Sequence, residues 1–137
     1  MYSDFLANKI NDHINGVASY TAPTEINLAL FTARGSIAQA CAGTTFTEVT
    51  GGSYARVNAG VGTVNWNGSA ARLCDNKLSV PFVTATADWG IVTCYGAYDQ
   101  AANLLWWADL TTPKSVPDGA TASFATGTID VSLPQGA

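Results

Sequence analysis

Apolar residues recur at helical spacing in one place only, at the start of the chain. Leu6, Ile10 and Ile14 repeat every fourth residue with Phe5 and Val17 beside them, which predicts one amphipathic helix. Ser3 is placed to cap it, Asp4 sits where the helix dipole favours a carboxylate, and Asn15-Gly16 supplies the stop. A helix of about twelve residues is not stable alone in water, so it must dock on a sheet or a neighbouring subunit.

From Glu25 onward the period is two. Glu25–Thr32 sets Ile26, Leu28 and Leu30 on one face and Ala29 and Phe31 on the other. Ala33–Thr45, rich in Gly, Ala, Ser and Thr, reads as a long surface loop. Strands follow at Thr45–Val49, Tyr54–Val61, Thr63–Asn67 and Lys77–Val83, where Pro81 demands an edge or a bulge. Ile91–Tyr98, Asn103–Leu110, Ala120–Phe124 and Thr128–Leu133 complete the set. Gly51-Gly52, Asn67-Gly68, Asp88-Trp89-Gly90, Pro117-Asp118-Gly119 and Thr126-Gly127 are the turns between them. The pattern predicts an all-β fold: one antiparallel β-sandwich domain of about eight strands over residues 1–137, with a docking helix in 1–17 and the sandwich in 20–133.

Composition changes the picture in one respect. Of 137 residues 47% are apolar but only 12% are charged, about half the usual share. Either neighbouring subunits cover much of the exterior, or its polar face is built from Thr, Ser and Asn. The net charge is −4, and the six Lys and Arg are scattered singly. Phosphate binding needs clustered cations, so nucleic acid is not expected as a partner, nor is an anionic membrane. Cys41, Cys74 and Cys94 are odd in number and widely spaced, hence small buried hydrophobes rather than a disulfide framework. The start of the chain has no signal-peptide pattern and no run is long enough to span a membrane, which predicts synthesis in a cytoplasm.

Reactive groups are sparse. His13 is the only histidine and falls among Asn11, Asp12 and Asn15 on a solvated helix face, so no Ser-His-Asp or Cys-His site is expected. The cysteines do not supply a zinc site, and no cofactor motif is present. Asp88, Asp99 and Asp118 fall at expected turns, where Asp commonly bonds its own backbone. No catalytic, metal or cofactor residue is therefore assigned. Trp106 and Trp107 point to opposite faces of one strand, so one of them must leave the core unless an extra layer covers it. That outward indole, with Tyr54 or Tyr98 nearby, is the expected anchor of a subunit interface. Phe5, Leu6, Ile10 and Ile14 on the helix and Arg34 in the loop are the other expected contacts.

Tyr20-Thr-Ala-Pro-Thr-Glu-Ile-Asn-Leu-Ala-Leu-Phe-Thr32, Glu48-Val49 with Gly51-Gly-Ser-Tyr-Ala-Arg-Val57, Pro81-Phe82, Ala87-Asp-Trp-Gly90, Leu104-Leu-Trp-Trp-Ala-Asp-Leu110 and Ser123–Leu133 form a set. Together they resemble small virion proteins of tailed bacteriophages, of the capsid decoration (cement) or tail fibre type. Ala33–Thr45, with Arg34 and Cys41, departs from the Gly/Asp-rich connection usual in that group, as Asp118-Gly119-Ala120 does from its closing turn. The resemblance implies a jelly-roll-like sandwich that assembles on a virion, as a homotrimer, without enzymatic activity. The leading expectation is a capsid decoration protein holding the head together through contacts with itself and the major capsid protein or other virion proteins. The alternative is a tail-fibre or fibre-base subunit that attaches to host glycans. Either places the protein in the virion after assembly in the bacterial cytoplasm.

Overall fold

Nine antiparallel strands and two helices make up the computed structural model, which describes residues 1–132. Helix α1 (Asp4–Ile14) is capped by Ser3, whose Oγ accepts from Leu6 N at 3.2 Å. It ends where Gly16 takes a φ of +70°, a conformation that costs glycine little.

The main sheet has five strands. β1 (Asn27–Ala33) and β7 (Leu104–Ser115) flank β6 (Ile91–Tyr98), and β2 (Thr47–Glu48) and β3 (Val57–Asn58) share the outer edge of β1. Two ribbons lie against it: β4 (Leu73–Asp75) with β9 (Asp130–Ser132), and β5 (Val80–Thr84) with β8 (Thr121–Phe124). Leu28, Leu30, Val92, Tyr95 and Trp106 from the sheet meet Val80, Phe82 and Ile129 from the ribbons in one core. This is the antiparallel β-sandwich that the alternation predicts. The strand expected at Thr128–Leu133 is found as Asp130–Ser132, and Leu133 lies outside the described residues.

The predicted turns do their expected work. Gly90 N donates to Asp88 Oδ1 at 2.8 Å, and Asp99 Oδ1 accepts from Ala101 N and Asn103 N. Gly52 has a φ of +53°, and a Cβ there would come within 2.8 Å of Trp89 Nε1. Pro81 lies on a ribbon strand bulged between Pro81 and Thr84, the placement a missing N–H requires.

Three expectations are corrected and one unexpected strand is added. Thr63–Asn67 is a turn, because Gly60 and Gly62 adopt positive φ and Asn65 N and Trp66 N both fold back on Gly62 O. Leu73–Asp75 is a strand that its short, weak pattern conceals. Tyr54–Val61 contracts to Val57–Asn58, since Tyr54 turns inward to the core. Ala33–Thr45 is not all loop: it holds the second helix, α2 (Ile37–Cys41). A capping box starts α2, with Ser36 N donating to Gln39 Oε1 at 3.0 Å and Gln39 N donating back to Ser36 Oγ.

Candidate functional site

Trp106 and Trp107 do face opposite ways, yet neither reaches solvent: they are 5% and 2% exposed. Trp106 packs edge-on against Trp66 and Tyr95 in the main core. Trp107 lies on the other face of the sheet with Leu104, under Ala40 of α2 and the ring of Phe46. Arg34 closes that pocket. Its guanidinium sits 4.7 Å from the Trp107 ring and holds Asp109 through two 2.6 Å hydrogen bonds. The hydrogen bonds from Arg34 depress the Asp109 carboxyl below its ordinary value. The expected outward indole is thus corrected: α2 and Arg34 supply the extra layer, so neither tryptophan is a free anchor.

The other interface candidates separate in the same way. Leu6 is in the core, and Phe5 and Ile10 pack against it. Ile14 is 73% exposed. The start of the chain is clasped to β7: Ser3 N donates to Leu105 O at 3.0 Å, Trp107 N to Met1 O at 2.9 Å, and Ser3 Oγ to Leu104 O. Tyr54 works inside the fold. Leu30 N falls between β2 and β3 on the edge of β1, and the Tyr54 hydroxyl accepts from it at 2.9 Å while donating to Glu48 Oε1 at 2.9 Å. Arg56 grips Glu48 with bonds of 2.9 and 2.8 Å and covers the Tyr98 ring at 3.8 Å. Burial pushes the Glu48 carboxyl up, but the bonds from Arg56 and Tyr54 and the charge of Arg56 outweigh it, and the net shift is downward. Arg34, Trp107 and Tyr98 are therefore brought near one another, whereas Ile14 stands apart.

Periodicity does not reveal one concavity of the fold. Between β7 and β8 opens a cleft of about 730 Å³. Leu30, Val92, Tyr95 and Phe124 line its apolar side, and Thr111, Thr112, Ser115 and Ser123 are among the polar residues of its wall. Its opening comes from the pairing of β7 with β6. Val92 faces Lys114 and Cys94 faces Asp109, so Leu110, Thr111, Thr112 and Pro113 all stand opposite Thr93 alone. Thr-Thr-Pro after an apolar strand was the one available sign of that bulge. The cleft can hold a ligand by hydrogen bonds and apolar contact. Among the described residues no group of three His, Cys, Asp or Glu is placed to hold a metal ion, the three cysteines are free thiols, and no helix is long and apolar enough to cross a membrane.

No curated protein matches this chain. A family of phage structural proteins, described as podophage GP4 fiber I protein gp80, matches it over residues 1–132, which span the clasp, both helices and all nine strands. With that match covering nearly its whole length, the chain belongs to the podophage GP4 fiber I protein gp80 family, and so is a structural component of a phage virion.

Proposed function

We propose that this protein is a non-enzymatic subunit of a tail fibre or fibre base, attaching a tailed phage to glycans of its host. One observation carries the reading: the family that spans residues 1–132 is a fibre family, which favours attachment over decoration of the capsid. Self-association as a trimer and contact with other virion proteins belong to the same proposal, with assembly in the host cytoplasm and no nucleic acid or membrane partner. The low charge supports it, since the centre of a protein interface penalises unpaired ions.

Two measurements on purified virions test this. Antibody label should fall on the tail, and densitometry should give on the order of tens of copies, as fibres of a closed symmetric tail require. Label spread over the head at hundreds of copies would return the protein to a cement role. Added in excess, the purified protein should slow phage adsorption by occupying host receptors. Adsorption at an undiminished rate refutes attachment.

A further inference from the structure

We propose that the cleft between β7 and β8 is a binding site for a neutral saccharide, with the Tyr95 hydroxyl as its polar anchor. This rests on the attachment reading above and says where on the molecule attachment occurs. Tyr95 is 5% exposed and lines the cleft, yet its hydroxyl makes no hydrogen bond among the described residues. The buried side-chain polar atom without a partner among the described residues is Trp107 Nε1, so the Tyr95 hydroxyl is not sealed in: its ring is buried while its hydroxyl stays open toward the cleft, where a ligand group can meet it. Burial, with Asp130 nearby, pushes its pKa up to about 12, so it stays a donor at every physiological pH.

The rest of the lining fits a sugar. Phe124, whose ring centroid lies 4.6 Å from that of Tyr95, offers an apolar face to the C–H side of a pyranose. Thr111 and Ser115 add small uncharged polar residues to the wall. The volume of about 730 Å³ lies within the range of about 300–1,000 Å³ for small-ligand sites. The wall gives an acid no net positive charge to meet. Asp109 is already held by Arg34, and the other ionisable groups besides Tyr95 are Asp130 and Lys114, one of each sign. A strand from another chain is a poorer occupant. The four-residue bulge at Leu110–Pro113 and the absent N–H of Pro113 interrupt the β7 edge that such a strand would have to follow.

Saturation-transfer NMR on the full chain tests this with glucose, galactose, mannose, rhamnose and N-acetylglucosamine and their disaccharides. Glucuronate and N-acetylneuraminate serve as acidic counterparts. At least one neutral sugar should receive saturation, and Tyr95→Phe should weaken its binding roughly tenfold, the loss of one ligand hydrogen bond. Because that hydroxyl has no partner in the fold, the variant should melt as the parent does. Thr111→Ala, on the exposed wall, should weaken binding without altering the melt. Transfer to no neutral sugar, equal transfer to the acids, or parental binding by both variants overturns the site. If the parent protein still slows adsorption in any of those cases, attachment stands and this cleft alone is dismissed. If it does not, both fall.

Discussion

Asn76 is 1% exposed and uses its whole amide. Nδ2 donates to Leu78 O and Ala125 O at 2.8 Å each, and Oδ1 accepts from Thr128 N at 3.0 Å and Ile129 N at 2.8 Å. One side chain thus ties the β4–β5 link to the β8–β9 link. Asn76→Ala takes this partner from four backbone groups. Of these the buried Ile129 N–H has no other among the described residues, whereas Ala125 O keeps the Thr128 hydroxyl. The substitution should cost about 3 kcal/mol in urea denaturation. A loss within the scatter of surface substitutions would show that water replaces the amide freely. Tyr54→Phe strips Leu30 N and Glu48 of a shared partner and should cost about 1–3 kcal/mol by the same reasoning. Glu48 also gives stability a pH dependence. Its carboxyl titrates lower in the fold than its ordinary 4.5, so its contribution is complete above that value and is lost as pH falls through the depressed one. The melting temperature should therefore drop on acidification below about 4.5, and Glu48→Gln should flatten that drop. An equal acid slope in the variant would assign the effect to other carboxylates, Asp109 first among them.

α2 is five residues long and could not persist by itself, but it decides whether Trp107 is surface or core. Trp107→Ala should accordingly cost about 3–5 kcal/mol, as removal of a buried ring does, and Trp106→Ala the same. A variant that assembles poorly but melts normally would restore the exposed-anchor reading. α1 divides along its length: Leu6→Ala should cost about 2–3 kcal/mol, whereas Ile14→Ala should stay within about 0.5 kcal/mol. The sandwich and α1 were legible because period-two and period-four spacing survive without context, as in Ile91–Tyr98, found as expected to the residue. α2 hid in Gly, Ala and Ser, although Ser36 followed by Gln39 was a readable capping signal. The cleft was legible only through Thr111-Thr112-Pro113, and the roles of Asn76 and Tyr54 not at all. Their roles depend on groups far off in sequence, such as Leu30 N for Tyr54 and Ala125 O for Asn76.

Over the whole molecule, ten acidic and six basic side chains are all that hold the exterior apart from its neighbours. Four of these are already committed to one another as the pairs Arg34–Asp109 and Arg56–Glu48. Ile14 at the end of α1 and Val17 in the turn just past it are 73% and 72% exposed, outside the part of the helix that reaches the core. One exposed aliphatic is ordinary, but two within four residues on a charge-poor surface favour contact with a second copy. The self-association proposed above should then show as a sedimentation coefficient that rises with concentration. Ile14→Asp with Val17→Asp should hold the protein monomeric while leaving its melting temperature in place, because neither side chain supports the fold. Monomeric behaviour of the parent at all concentrations would refute self-association in solution. Unchanged assembly in the double variant would move the contact away from α1, leaving the sheet flanks to carry it.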